Sequence, residues 1–483
     1  MLPSDGQLDL DDLKHYPHFD APIPLKKVRK LVKNEQRVIK NAFYPFIRYT
    51  KSYTPFNEKH APSSEKKERL IRYSARRDAY IYTHYRKKLS VHYENELSRL
   101  KISAAPVAYR KIPCQHNPEK GKCNIDFAKD AFDEINKMGD CIAIVLDISS
   151  YFENIDHNRL HGLVRRTLKC KTLPKDYEVI LKNITQYHYV DKIEVYKRLG
   201  YFGKIKDNNG IWRDGYKVPY QQIMKQLCTP QQFREKICGK NPKYPSLIKK
   251  NKLDRGIPQG APISDLLANL YLIDFDKKMC DFALKKNGKY WRYSDDILLL
   301  VPHDSDDGIS VSQFVTNEIK RHGSHLIIKP KKTSIVKYTK TTCGQTFKKI
   351  HGRQGNNGLE YLGFRFDGKS VYLRDSTISG FYRKMTFGSR KEAYTFASRN
   401  THLSKSQLIQ KFNYKKFFQK YGRVSNFDKY ASEPNKWTFW TYVTRSAEAF
   451  ADYGNKIPKQ VSRHKKFLRS LIEQELKKAH DKI

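Results

Sequence analysis

Long hydrophobic runs are missing from this sequence. The longest, such as Ile297–Val301, fall far short of the ~20 apolar residues of a membrane-spanning helix. A membrane protein is therefore not expected, nor a membrane partner. Cysteine is sparse and unpatterned. The eight residues include no Cys-x-x-Cys, which argues against a disulfide framework and predicts reduced thiols in a cytoplasm. Cys114, His116 and Cys123 come nearest to a zinc pattern, but no fourth ligand is obvious and they read as unrelated loop residues. The N-terminus lacks the basic start and apolar core of a secretory leader, with Asp9, Asp11 and Asp12 close behind it. Internal repeats and low-complexity tracts are also missing. Negative charge is scarce, at 50 Asp plus Glu against 93 Lys plus Arg.

What is present follows from that imbalance. The formal charge is +43, spread along all 483 residues. A chain so charged repels itself unless a polyanion screens it, and nucleic acid is the default polyanion. Hydrophobic residues at 39% and aromatic residues at 13% suffice for a folded core, so disorder throughout is excluded.

Along the chain, residues to about Tyr53 read as a basic N-terminal extension, with helical spacing over Val28–Ile47 and a linker around Pro55 and Pro62. Helical patterns follow over Lys67–Leu100 and Asp126–Met138. Ala143–Leu146 has strand length and ends at Asp147, and His157–Lys169 reads as a helix behind it. Residues 187–250 are polar, aromatic and basic without clear periodicity and are taken as an insertion. The loop Arg255–Gly260 leads into a helix over Ser264–Phe282, then two strands, Tyr290–Tyr293 and Ile297–Val301, flank a turn. Val311–Arg321 is helical. Leu359–Phe366 and Ser370–Leu373 predict a hairpin turning at Asp367-Gly368. The remainder is mainly helical.

Two acidic sites sit where acids are costly. Asp147 ends an apolar strand, and Asp295 and Asp296 lie between Tyr293 and Ile297–Leu300. Adjacent buried acids need a neutralising cation. Magnesium suits them, because it takes oxygen ligands and leaves positions open for phosphates. Two such ions stabilise both the attacking and leaving oxygens of phosphoryl transfer.

Five motifs stand in a telling order. Leu146–His157, Arg255–Ser264, Tyr293–Asp296, Lys332-Thr333 and Tyr361–Phe364 resemble, in sequence, the first and second palm motifs, the Tyr-x-Asp-Asp box, the next motif and the primer-gripping hairpin of reverse transcriptases. The resemblance is closest to the bacterial branch and covers about Lys67 to Tyr382. It implies an α+β right-hand polymerase, with fingers, a palm of antiparallel strands backed by helices, and a thumb. The basic extension would span 1–60, fingers 61–140, palm 141–375 with its insertion at about 187–250, and helical thumb and C-terminal extension 376–483.

The resemblance also implies roles. Asp147 and Asp295 would bind two Mg2+ ions and Asp296 would assist. Phe152 matches the steric gate that excludes a ribose 2′-hydroxyl, although core packing explains a ring there as well. Gly256 and Gly260 would let backbone approach template and nucleotide, and Gln259 would touch the incoming nucleotide. Lys332 would give the leaving pyrophosphate a proton or only a positive field. Lys67–Arg72 resembles a fingers strand that contacts the triphosphate, through Arg69 ahead of Arg72. Ala108–Lys111 resembles a second fingers segment of phage-defence relatives.

The chain shows no acid cluster of a nuclease or integrase, no Val-Thr-Gly of the retron type and no cysteine after Cys343. It therefore resembles defence-associated, abortive-infection-like reverse transcriptases more than group II intron or retron enzymes. That resemblance implies antiphage defence with a dedicated non-coding RNA as template or scaffold, deoxynucleoside triphosphates as substrates and DNA as product. A second copy of the chain stays open as a partner. The alternatives are a group II intron- or retron-like enzyme and a non-catalytic RNA-binding protein on a polymerase fold. In the C-terminal region, Phe412, Tyr414, Phe417, Phe418 and Tyr421 alternate with lysines, which suits either RNA stacking or a thumb helix whose rings are core. Trp437, Trp440, Val443, Ala447 and Phe450 follow helical spacing and read as core or a subunit contact.

Overall fold

The chain is described by a computed structural model over residues 7–53, 67–114, 117–206, 210–303, 308–342, 344–352, 357–421 and 438–482. Its centre is a five-stranded antiparallel sheet, ordered Lys289–Tyr293, Asp296–Pro302, Cys141–Asp147, Ser334–Thr341, Gly344–His351. The middle strands read as continuous apolar runs because both faces of the sheet are covered. Ile142, Ile144, Leu146, Ile297 and Leu299 point into one core, shared with the helices Arg76–Arg99, His157–Thr167, Ser264–Tyr271 and Ile273–Lys285. Ala143, Leu298, Leu300, Val336 and Tyr338 point into the other, against the helices Asn124–Met138 and Phe439–Ala449.

A second sheet, ordered Lys67–Tyr73, Phe46–Tyr53, His188–Asp191, Lys249–Lys250, stands beside the first. Residues 7–53 are built into the fold. The helical spacing over Val28–Ile47 resolves into two short helices, Leu25–Val32 and Glu35–Ile39, before the strand from Phe46. Leu8, Val28, Val38 and Phe46 are buried in the larger core. The pattern from Lys67 likewise divides into a strand to Tyr73 and a helix from Arg76. Residues 187–250 form a lobe whose core (Val190, Val195, Tyr196, Leu227, Ile237) includes Phe19 and Ile47 from the N-terminal region.

His18 pins that lobe. Its amide donates to Lys225 O at 2.9 Å and its carbonyl accepts from Leu227 at 2.8 Å. Burial, with the Arg76 charge beside it, pushes its pKa down to about 3. Unfolded His18 takes a proton near its ordinary ~6.5, which the folded residue refuses until far lower pH. The stabilisation from a neutral His18 is thus complete above ~6.5 and is lost as pH falls from there toward 3. Peptides from 187–250 are expected to exchange amide hydrogens faster at pH 5 than at pH 7.5 after correction for intrinsic rates, and less so in His18→Gln. Equal corrected rates in the wild type would remove His18 from this role.

The stretch Leu359–Phe366 is two strands and not one. Leu362 and Gly363, both with positive φ (45° and 93°), make a two-residue turn between Leu359–Tyr361 and Phe364–Phe366. Val371–Leu373 adds a third strand after a second turn at Asp367. For the C-terminal rings the structure decides between the two readings. Phe417 and Tyr421 are buried with Phe381, Met385, Leu468 and Ile472, and Phe412, Tyr414 and Phe418 pack against them. They are the core of a helical bundle built on Asp375–Arg399 and His464–His480, not an RNA surface. Val443 and Phe450 are buried against the three-stranded sheet, with Trp440 and Ala447 beside them. Trp437 lies outside the described residues, as does His116. No helix among the described residues is long and apolar enough to cross a membrane.

Candidate active site

Asp147, the last residue of the middle strand, stands directly opposite Asp296, the first residue of its neighbour. Facing residues share one side of a sheet with Cβ atoms ~4.5–5.5 Å apart. Asp295 sits in the tight turn between, behind Ser294 in a left-handed conformation (φ 60°). The Ile148 amide donates to Asp295 O at 3.0 Å and the Lys329 amide to Asp147 O at 3.0 Å, closing the end of the sheet. Lys332 Nζ donates to Asp147 Oδ2 at 2.6 Å, whereas Asp147 Oδ1 is buried without a hydrogen-bond partner.

The electrostatics follow from crowding. Burial, then the charges of Asp295 and Asp147, push Asp296 up to about 7. Burial and Asp147 also raise Asp295. Among the described residues no three acid, His or Cys side chains already converge as a metal cage. The donor set nevertheless fits a hard divalent cation: three carboxylates, one bearing an orphaned buried oxygen and two held above their ordinary range by repulsion and burial. A cavity of about 140 Å3 adjoins two of them, lined by Asp147 and Asp296 with Lys331, Lys332, Lys349 and Arg374. A larger one, about 1170 Å3, opens beside His157, His161 and Lys182 and touches none of the three acids. Chemistry, not size, makes the smaller the candidate.

The turn is held from below by a residue that sequence reasoning passed over. Arg292 is fully buried, and all five of its guanidinium N–H groups are used. Nε and Nη2 donate to Asp276 at 2.7 and 2.6 Å, Nη2 to Asn269 O at 3.2 Å, and Nη1 to Asn269 Oδ1 at 3.2 Å and to Ser294 O at 3.0 Å. The last bond fixes the residue before Asp295. Tyr290 adds a 2.7 Å bond to Asp276. The signal was present in the sequence, since an arginine inside the strand Lys289–Tyr293 is as costly as an acid there. Tyr109, in the Ala108–Lys111 segment, donates to Ser294 Oγ at 3.3 Å.

Other candidates divide. The turn carrying Phe152 docks on the Arg255–Gly260 loop, with Phe152 O accepting from Ile257 at 2.8 Å, and the Phe152 ring is half-buried at the edge of the core. Gln259 is half-buried, and its carbonyl accepts from the Arg72 amide at 2.9 Å. A Cβ on Gly260 would lie 2.8 Å from Arg72 O, and one on Gly256 3.0 Å from Glu153 O. The close approach at these glycines is to the chain's own backbone. Arg72 is 4% exposed and committed to Glu153, at 2.6 and 3.2 Å. Arg69, on the other face of the strand, is exposed, and its charge acts on Asp295. The two arginines are thus separated, and Arg69 alone of them faces the acids.

Residues 221–366 match the family model described as reverse transcriptase (RNA-dependent DNA polymerase). The matched span includes Gln259, Asp295, Asp296, Lys332 and the Tyr361–Phe364 hairpin but stops short of Asp147, which joins the site through strand pairing. Within residues 221–366 the chain thus resembles a reverse transcriptase domain. A search of curated proteins finds no match. Among solved structures, apo telomerase from Candida tropicalis truncated from the C-terminal domain aligns with 74% of this chain and 62% of its own, at 11% identity and a TM-score of 0.34. Telomerase from Candida albicans in complex with a fragment of telomeric RNA aligns with 96% of this chain and 68% of its own, at 12% identity and 0.37. This chain spans less than two thirds of the first of these, and likenesses so weak carry no functional information.

Proposed function

We propose that this chain copies RNA into DNA at the paired ends of the strands bearing Asp147 and Asp296, in bacterial antiphage defence, with a dedicated non-coding RNA as template or scaffold. The observation that carries the polymerase site is the register itself. It sets a carboxylate from outside the matched span opposite the Asp-Asp turn within it, beside a lysine-lined cavity. The defence reading is supported by motif resemblance, including the Tyr109 segment that touches the turn. Residues 61–140 would serve as fingers, 141–375 as palm and 376–483 as thumb and extension.

In the reaction, the primer 3′-hydroxyl oxygen bonds to the α-phosphorus of a deoxynucleoside triphosphate while the bond to pyrophosphate breaks. Asp147 and Asp295 would hold divalent ions, with Asp296 behind them, and the ions would supply an acidified hydroxyl and neutralised phosphate oxygens. Lys332, already on Asp147, keeps positive charge at the phosphates and is placed to donate a proton or a field to the departing pyrophosphate. Arg69 reaches the same region from the fingers side. Phe152, beside the Arg255–Gly260 loop, narrows the space for the sugar.

Phe152→Ala is expected to raise ribonucleotide incorporation relative to deoxynucleotide by at least ~10-fold, the scale set by one pocket contact. A competition assay with both sugars checks it, and an unchanged preference would return Phe152 to the core. The wider reading is tested by sequencing the RNA and DNA that co-purify with the wild type and with Asp295→Asn/Asp296→Asn. A single structured RNA in both, with DNA in the wild type only, supports it. Random RNA and no DNA would reject the dedicated partner.

A further inference from the structure

The lobe formed by residues 187–250 shows an exposed surface that neither the core nor the acids use. Large apolar side chains gather there in the open: Trp212 is 60% exposed, Tyr220 52%, Met224 62%, Tyr216 39%, and Tyr49 on the adjoining strand 38%. Scattered exposed rings need no explanation, but a contiguous group marks a contact surface. Three of these are contiguous, because one ammonium, Lys192 Nζ, lies over Tyr49, Tyr216 and Tyr220 at 5.9, 5.9 and 5.5 Å.

The hairpin of Phe202–Lys206 and Trp212–Tyr216 repeats the pattern of ring and cation. Lys206 pairs with Trp212, Lys204 with Asp214 and Phe202 with Tyr216, so all six share one face. Lys206 Nζ stands 5.3 Å from the Trp212 ring centre. The acid on that face, Asp214, is neutralised by Lys204 at 3.2 Å and Lys197 at 3.7 Å. Trp212 and Tyr216 are four residues apart, roughly 13 Å along a strand. Rings interleaved with cations suit stacked bases and their phosphates.

The surface also leads to the acids. Tyr49 faces Ile71 across the sheet and Lys51 faces Arg69, so these four share one side. Ile71 Cγ2 lies 3.2 Å from where a side chain on Gly260 would begin, and the Arg69 charge acts on Asp295. A strand leaving the carboxylates along this side would meet Arg69 and Lys51, then Tyr49 and the hairpin.

We propose that Tyr49, Trp212, Tyr216 and Tyr220, with Lys192 and Lys206, form a stacking platform for the single-stranded part of the RNA template ahead of the copying point. This rests on the polymerase reading above and gives the lobe its task. The full chain carrying Trp212→Ala and Tyr220→Ala, both at exposed positions, is compared with wild type by fluorescence anisotropy on a labelled 12-nucleotide single-stranded RNA and on a duplex of the same length. Single-strand affinity should fall by about 10-fold or more per ring. Duplex affinity and the slope of log affinity against log salt should stay unchanged. Lys192→Ala with Lys206→Ala should instead flatten that slope, by about 0.7 for each phosphate no longer neutralised. Primer extension should match wild type on a template with a one-nucleotide overhang and slow on a long one. Unchanged single-strand affinity in the ring variant, or an equal loss on duplex, would overturn the platform. So would a loss of binding to anionic phospholipid vesicles with RNA affinity intact. A ring variant that loses single-strand binding, alongside a wild type that extends no primer, sinks the polymerase reading and keeps the surface as a single-strand site.

Discussion

Asp295→Asn combined with Asp296→Asn is expected to lower the rate of deoxynucleotide incorporation by about 10^3-fold or more while leaving the fold intact. The shape of the turn is kept and its negative charge removed. Charge stabilisation at the attacking and leaving oxygens is worth several kcal/mol, and each ~1.4 kcal/mol is tenfold in rate. Stability should move the other way. Both carboxyls are held above their ordinary range, Asp296 at about 7, by burial and then by their neighbours. A group with a raised folded pKa contributes stability that is complete below its unfolded pKa, near 4, and is lost as pH rises through the folded value. Without divalent cation, the contribution of these two acids should therefore be lost between about pH 4 and pH 7, so that the variant gains stability relative to the wild type across that window. Single-turnover incorporation and urea melts at pH 5.5 and 7.5 read both effects. Incorporation near the wild-type rate would move catalysis elsewhere.

Arg292→Met should destabilise the protein by about 3–5 kcal/mol, the scale for stranding one partner of a buried ion pair. Asp276 would keep only Tyr290, and Ser294 O and Asn269 would lose their donor. Adding Asp276→Leu should recover much of that loss, because two apolar groups replace a pair that was expensive to desolvate. Recovered stability need not bring recovered activity, since the bond from Arg292 to Ser294 O, which steadies the residue before Asp295, is still gone. Urea midpoints and incorporation rates on the single and double variants separate these effects. A single variant within ~1 kcal/mol of wild type would show that the network is dispensable.

The features legible in the sequence were those where a costly residue interrupts a cheap pattern. Asp147 at the end of an apolar strand and the acid pair ahead of Ile297–Leu300 are of this kind, and the strands on which they were read form the middle of the central sheet. Arg292 offered the same signal and was missed because the strand Lys289–Tyr293 is short and flanked by polar residues. The C-terminal rings were ambiguous for a different reason. Alternating Phe, Tyr and Lys at helical spacing fits a stacking surface and a core face equally well, and only the position of Leu468 and Ile472, some fifty residues later, decides between them. Residues 187–250 looked aperiodic because their core is completed by Phe19 and Ile47, beyond the reach of any local window. The strand Lys67–Tyr73 hid inside a helical pattern for want of a boundary, since the helix from Arg76 begins after only two residues.

The strand Cys141–Asp147 lies in the middle of its sheet, and both of its neighbours, Asp296–Pro302 and Ser334–Thr341, come later in the chain. On the ribosome, at ~5–20 residues per second, roughly 7 to 30 seconds pass between its emergence and that of its first partner. Throughout that interval Ile142–Leu146 has two bare edges and nothing to pair with, the condition in which strands seek the wrong company. The proposed catalytic centre thus cannot be assembled in installments. Holding chaperones should raise the yield of active protein far more than they raise the yield of total protein.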